Sequence, residues 1–260
     1  MLNKEYFEHK IFEQLNEYVS FYDNLSYSVM GFITSGTRAK FNIDTYVYTS
    51  IKGTLESIKD VLWKGRISDS YALLRRYYDS TIINIYTNHY LDDNFSLDNF
   101  TVTKIDNWLK GVEPIPEYKQ MSQYIRSSSK LKAITDLLLK DKTYKEIRDR
   151  CNAHTHYNFF HHLMINDNEI YDINRFSTLD KFYTDLDDIF VQHFAYIFSL
   201  KGQYMSSSDY IDSLEMGLLP EEGSQYFVAP FIQNIFDKVI KVKRPDLANE
   251  IKSQTFMQLS

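Results

Sequence analysis

Residues 68–86 read SDSYALLRRYYDSTIINIY and carry a long helical pattern. Ser68 or Asp69 can cap the start of a helix through its side-chain oxygen. The apolar and aromatic side chains that follow recur at steps compatible with one helix, and they are Ala72, Leu73, Tyr77, Ile83 and Tyr86. The pattern predicts a long α-helix that ends near residues 92–94.

The same periodicity recurs along the rest of the chain. It predicts helices at about residues 4–23, 44–63, 101–110, 117–140, 143–164, 178–200, 224–240 and 245–257. Only eight Gly and five Pro occur in 260 residues, which leaves few breaks for strands. We therefore expect an all-α protein, a single-domain bundle of long antiparallel helices with additional C-terminal helices. Residues 24–42 are expected to form a loop or broken helix, and residues 166–174 a hairpin or irregular loop.

Composition restricts the class of protein. A chain of 260 residues with 43% hydrophobic residues can bury a large core without metals or disulfides. The single cysteine excludes an intrachain disulfide and suits a reducing compartment. No signal-peptide core and no apolar run of about eighteen residues is present, so we expect a cytoplasmic protein with no membrane contact. The net charge of −6 gives no global attraction to nucleic acid, so the binding of nucleic acid would need a local basic patch on the protein.

The densest group of chemically capable side chains is in residues 148–158, RDRCNAHTHYN. Side chains on an α-helix advance by about 100° per residue, so this segment would form two polar stripes. One stripe consists of Arg148, Asn152 and His156, and the nearly opposite one of Arg150, His154 and Asn158. A helix that is polar on both sides is not an ordinary core element, and either stripe could face a functional site.

A metal site is one interpretation of the histidines. His154 and His156 are two residues apart, and His161 and His162 follow. A two-residue spacing suits a strand better than a helix, and no carboxylate completes a His-Glu-x-x-His arrangement. We therefore predict no metal site and no cofactor.

Two further interpretations involve the same segment. Cys151 could act as a nucleophile assisted by His154 or Asn152, but its position within a helix among large side chains favours a packed thiol. Alternatively, the arginines and histidines could form a polar network with carboxylates elsewhere in the fold or at a dimer interface.

Metal-independent RNA cleavage is the third functional interpretation. A 2′-hydroxyl can attack the adjacent phosphodiester when an imidazole handles the proton and a guanidinium neutralises the charge on phosphate. Asparagine can orient the imidazole or bond a phosphate oxygen. Upstream, Arg75 and Asp79 are four residues apart, which predicts an ion pair. Arg75 or Arg76 could instead border the same site and hold phosphate.

The segment resembles the motif of the HEPN superfamily, an Arg followed by four to six residues and a His on a late helix of a small bundle. Arg148 to His154 fits with five intervening residues, and Arg150 to His156 has the same spacing. The upstream run Ala72-Leu-Leu-Arg75 resembles a helix of uncharacterised bacterial proteins of the same broad group. The resemblance covers about residues 45–165, in two patches.

The resemblance implies a homodimer in which two motifs form one cleft, and a metal-independent endoribonuclease of toxin–antitoxin or antiphage systems. It implies a HEPN-like core at about residues 45–200 and a C-terminal extension at about 205–260. The expected catalytic residues are Arg148 and Arg150 for phosphate, His154 or His156 for proton transfer, and Asn152 for orientation. The expected substrate-binding residues are Arg75, Arg76 and Asn158. The alternative is a catalytically inactive interaction or nucleotide-binding module, with a cognate partner protein.

Overall fold

A computed structural model describes residues 2–31, 43–96, 101–166 and 174–260 of the chain. Regular structure within these ranges is helical and includes no strand, although one isolated antiparallel bridge joins Ser206 to Val228. The predicted all-α class is therefore confirmed. In the part that the structure describes, no helix combines the length and apolar character needed to cross a bilayer.

The α-helices differ widely in length. They are α1 Lys4–Phe7, α2 Ile11–Gly31, α3 Ile43–Trp63, α4 Ile67–Asn94, α5 Thr103–Leu109, α6 Tyr118–Arg126, α7 Lys132–Leu138, α8 Thr143–Thr155, α9 Phe160–Met164, α10 Arg175–Leu200, α11 Asp209–Glu215, α12 Pro230–Ile235, α13 Lys241–Lys243 and α14 Pro245–Gln254. A π-helical turn, Phe236–Ile240, connects α12 to α13. Short 3-10 turns occupy Gly202–Met205 and Ser224–Tyr226.

The chain forms two compact units, each assembled from three separate segments. The first unit comprises Met1–Asp23, Val47–Thr81 and Asp141–Phe190. The second unit comprises Asn24–Tyr46, Ile82–Lys140 and Val191–Ser260. Residues 205–260, the expected C-terminal extension, lie in the second unit, which also contains residues 82–140 of the expected core. The division of the chain into a HEPN-like core and an extension stays a prediction.

Tyrosines supply much of the core of the first unit. The ring of Tyr18 stacks on Phe190 with a centroid distance of 3.8 Å, and its hydroxyl donates a short hydrogen bond to Asp187. The hydroxyls of Tyr22 and Tyr77 bond each other at 3.0 Å. All three tyrosine side chains are fully buried. Buried hydroxyls need partners, and this unit supplies them from its own side chains.

Several predicted helices are interrupted in the structure. The helix expected at residues 117–140 consists of α6 and α7, and that at residues 224–240 begins as a regular helix only with α12. Pro230 occupies the first turn of α12, where its fixed φ and missing N–H are tolerated. Helix α2 continues to Gly31, beyond the expected break at residue 24. The expected loops at residues 32–42 and 167–173 lie outside the described residues.

The helix predicted at residues 143–164 ends early, as α8, at Thr155. The N–H of Asn158 donates to Ala153 O at 3.0 Å, and that of Tyr157 to His154 O at 3.2 Å, which is the Schellman pattern of a helix end. Tyr157 has φ 48°, a left-handed conformation usually reserved for glycine. The two predicted stripes therefore stop at Thr155. The placement of His156 and Asn158 within a continuous helix was wrong.

Candidate functional site

The first predicted stripe contributes to a cluster of four side chains in the first unit. Asp79 of α4 accepts from Arg148 Nη1 at 2.7 Å through one carboxylate oxygen, and from Arg75 Nε at 3.0 Å through the other. Arg75 also donates a short hydrogen bond to the amide oxygen of Asn152. We call Arg75, Asp79, Arg148 and Asn152 the shared-carboxylate cluster. The expected Arg75–Asp79 ion pair is present, and Arg148 joins it.

Charge and exposure distinguish this cluster from a buried ion pair. Two guanidinium groups share a single carboxylate, so the four side chains carry a net formal charge of +1. The side chains of Arg75, Asp79 and Arg148 are 23%, 34% and 18% exposed. The cluster is therefore a partly exposed group with a net positive charge.

Arg150, on the second stripe, belongs to a different ion pair. Its Nε and Nη2 donate to the two carboxylate oxygens of Asp185 at 2.7 and 2.8 Å. Asp185 of α10 is fully buried and also lies 3.4 Å from the Lys181 ammonium. The Tyr71 hydroxyl donates to the same carboxylate at 3.4 Å. A bidentate pair on a buried carboxylate satisfies a charge that would otherwise be costly to bury.

His154 is a buried histidine in a stack of rings. Its Nδ1 lies 2.7 Å from the Ser68 hydroxyl, and its ring stacks on Tyr71 and His162 with centroid distances of 4.1 and 4.0 Å. Burial, with smaller contributions from His162, His161 and Arg150, lowers the pKa of His154 to about 3. The imidazole is therefore neutral at physiological pH.

The other predicted site residues are exposed. His156 directly follows α8, and its backbone N–H donates to Asn152 O at 3.0 Å, so it lies one helical turn beyond the shared-carboxylate cluster. Arg76 and Asn158 are also exposed. Within the described ranges, neither the Arg76 guanidinium nor the Asn158 side-chain amide has a hydrogen-bond partner.

Arg148 and His154, the first Arg-to-His pair of the motif, separate in space. Six residues on a helix correspond to about 600°, or 240° around the axis, so these two side chains point in different directions. Arg148 bonds Asp79, whereas His154 bonds Ser68. The structure instead groups Arg148 with Arg75 and Asn152, and places Arg150 and His154 around Tyr71.

Asn166 connects the segment after α8 to the start of α4. Its side-chain oxygen accepts from the backbone N–H of Ser68 at 2.9 Å and of Asp69 at 3.4 Å. Its amide nitrogen donates to the Asp69 carboxylate at 2.8 Å, and the Tyr157 hydroxyl donates to the same oxygen at 2.8 Å. These bonds satisfy N–H groups of the first turn of α4. They also hold the Tyr157 turn in place.

Sequence analysis missed several partners of these groups, namely Ser68, Asp69, Tyr71, Asn166 and Asp185. The sequence does contain a signal for Ser68 and Tyr71. Together with Arg75 and Asp79 they follow one another at steps of three, four and four residues. Such steps place side chains on one helix face. No comparable local signal identifies Asp185 or Asn166, which approach from distant parts of the sequence.

The remaining interpretations concern Cys151 and metals. Cys151 is buried, and this burial raises the pKa of its thiol to about 12. A thiol of this kind is a packing group, since the thiolate is the reactive form.

Among the residues that the structure describes, no group of three or more His, Cys, Asp or Glu side chains is arranged to hold a metal ion.

No protein-family model matches the chain, and neither a curated protein nor a solved structure does.

Proposed function

We propose that the shared-carboxylate cluster and His156 form a site that binds the phosphodiester backbone of RNA and cleaves it without a metal ion. The observation that carries the proposal is the sharing of Asp79 between Arg75 and Arg148 at a partly exposed surface. The net positive formal charge of two guanidinium groups beside one carboxylate suits a phosphate group. The reaction class comes from the resemblance of residues 148–158 to the HEPN motif, although Arg148 and His156 are not one of its two spaced pairs.

The proposed reaction needs a base and an acid. An imidazole takes the proton of the 2′-hydroxyl, whose oxygen attacks phosphorus and displaces the 5′-oxygen of the next nucleotide. A protonated imidazole gives its proton to that leaving oxygen, and the products are a 2′,3′-cyclic phosphate and a 5′-hydroxyl. The two arginines neutralise charge on the phosphate in the transition state. In a homodimer, His156 of each copy supplies one of the two imidazoles.

The choice of His156 over His154 follows from their surroundings. His154 is buried against Tyr71 and His162, and its pKa of about 3 makes it a weak proton acceptor. General acid–base catalysis works best when the pKa of the group is near the working pH. His156 is exposed and one turn from Asn152, which can bond the imidazole or a phosphate oxygen. We assign His154 to the packing of the first unit.

The test is cleavage of RNA by the purified full chain in the presence of a chelator. We expect His156→Ala to lower the cleavage rate at least about 100-fold, the usual contribution of a general acid or base. The matched control is His161→Ala, which removes another exposed histidine five residues away and should keep activity. Melting temperatures of both variants should stay near that of the wild type. Cleavage by His156→Ala at the wild-type rate would overturn the assignment.

A second candidate is an inactive interaction module. Arg150 and His154 are engaged inside the first unit, and three exposed apolar side chains follow His156: Phe159, Phe160 and Leu163, at 59%, 74% and 48% exposure. The proposed occupant of this surface is a second copy of the chain. A dimer by light scattering that Phe160→Ser dissociates, together with no RNA cleavage with or without chelator, would favour this candidate over the ribonuclease.

A further inference from the structure

A cavity of about 470 Å³ lies in the second unit, and none of its lining residues belongs to the proposed ribonuclease site. Its charged lining consists of Lys130 and Lys201, which we call the lysine pair, and of Asp92 and Asp44. Small-molecule sites typically measure several hundred cubic ångströms and combine apolar walls with a few fixed polar groups. The volume of this cavity is within that range.

The lysine pair shares one carboxylate. The Lys130 ammonium donates to Asp92 Oδ2 at 3.2 Å, and the Lys201 ammonium makes a short hydrogen bond to Asp92 Oδ1. An ammonium has three N–H donors, of which Asp92 takes one from each lysine. Two donors on each lysine are therefore available to a ligand. These three groups carry a net formal charge of +1. The fourth charged group of the lining, Asp44, is a buried carboxylate that accepts hydrogen bonds from neutral side chains.

A rigid polar group forms another part of the lining. The buried Asp44 carboxylate accepts from Asn84 at 2.7 Å, from Asn88 at 2.6 Å and from the Tyr204 hydroxyl at 2.6 Å. His193 in turn lies 2.8 Å from the Asn84 side-chain oxygen. Burial raises the pKa of Asp44. These bonds fix Asn88 and Tyr204, which line the cavity, so the site is organised before any ligand arrives.

The apolar part of the lining comes from the end of α4 and the residue that follows it. Leu91 of α4 and Phe95 border the cavity, and the Phe95 N–H donates to Leu91 O at 2.8 Å. A ligand that reaches both the lysine pair and these two side chains needs an anionic head and an apolar or aromatic body.

We propose that this cavity binds a small organic phosphate, whose phosphate group contacts the lysine pair and whose body packs on Leu91 and Phe95. A phosphate monoester has three terminal oxygens, enough acceptors for the four N–H donors of Lys130 and Lys201. Lysine ammonium groups bind phosphate as point charges. Asp92 acts as a built-in counterion that keeps the lysine pair in position and competes with the ligand for it.

The probe is phenyl phosphate, titrated calorimetrically into the full chain. We expect saturable binding about tenfold tighter than that of inorganic phosphate, because the phenyl ring gains apolar contact. Lys201→Ala and Lys130→Ala should each raise the Kd about tenfold through the loss of a charge-assisted hydrogen bond. The matched control is Lys132→Ala, which removes an exposed lysine that pairs with Asp136 outside the cavity and should leave the Kd unchanged.

Asp92→Asn gives a result of the opposite sign. Loss of the competing negative charge should lower the Kd for phenyl phosphate about fivefold. A gain in affinity cannot arise from a damaged fold, so this variant separates the proposal from general destabilisation. Phe95→Ala should remove the preference for phenyl phosphate over inorganic phosphate. Absence of saturable binding to the folded wild type, or weaker binding by Asp92→Asn, would overturn the proposal.

Discussion

At the scale of single residues, the same residue type has different chemistry in different places. Arg150 pairs with a fully buried carboxylate, whereas Arg148 shares a partly exposed one with Arg75. His154 is buried and neutral, and His156 two residues later is exposed. The sequence places Arg148, Arg150, His154 and His156 within one short segment but does not show which of them can reach a substrate. Their burial and partners decide which are available for chemistry.

The pKa of His154 predicts a dependence of stability on pH. Its folded-state pKa of about 3 is below the unfolded value near 6.5, so the unfolded chain binds the proton more tightly. Its contribution to stability is complete above pH 6.5 and is lost as the pH falls towards 3. The groups that contact the His154 ring or act on it electrostatically are Tyr71, Ser68, His161, His162 and Arg150.

Urea unfolding at pH 7 and pH 5 measures this dependence. We expect His154→Gln to lose less stability between the two pH values than the wild type, by about 2 kcal/mol. His193, whose pKa is lowered by its own burial, contributes equally to both proteins and cancels in the comparison. Identical pH dependence in the two proteins would contradict the assignment of a neutral, buried His154.

Asp79 and Asp185 offer a second comparison at the same scale. Asp185→Asn removes a fully buried carboxylate that makes a bidentate pair with Arg150, which should lower the free energy of unfolding by about 3–5 kcal/mol. The Asp79 carboxylate is 34% exposed, so water already screens its charge and Asp79→Asn should cost only about 1 kcal/mol. Denaturant unfolding of both variants at pH 7 is the measurement. Equal losses would mean that the two ion pairs do not differ as their burial indicates.

At the scale of elements, α4 and α8 differ in how far local sequence determines them. The apolar spacing of residues 68–86 predicts α4, and the structure confirms the helix. The predicted cap at Ser68 or Asp69 was wrong, because α4 begins at Ile67 and the Asn166 side chain accepts from the N–H groups of both residues. The end of α8 carries no Gly or Pro, so propensity predicts that the helix continues. Tyr157 nevertheless ends it, since its hydroxyl bonds Asp69 of α4 and its backbone adopts a left-handed conformation. A distant contact thus overrides the local preference.

Two substitutions of Tyr157 separate the hydroxyl from the backbone strain. Tyr157→Phe removes the bond to Asp69 and should lower stability by about 1 kcal/mol. Tyr157→Gly also removes it but relieves the left-handed strain, so it should be more stable than Tyr157→Phe by about 1 kcal/mol. Thermal unfolding of the three proteins is the measurement. If the glycine variant is the least stable, the turn is not strained.

At the scale of the whole molecule, each unit is assembled from three distant segments. The cavity of the second unit combines Asp44, Asp92, Lys130, Lys201 and Tyr204, which are dispersed over some 160 residues. None of these residues is part of a recognisable local motif. The sequence therefore did not predict the cavity, whereas it did predict a candidate site in the Arg-rich and His-rich segment 148–158.

The helical class follows from sequence alone, because apolar spacing and the scarcity of Gly and Pro act through neighbours along the chain. The Arg75–Asp79 pair follows in the same way from its four-residue step. The attachment of Arg148 to Asp79, the burial of His154 and the end of α8 at Thr155 depended on tertiary contacts. The reason is that hydrogen-bond partners and burial are set by residues far apart in sequence.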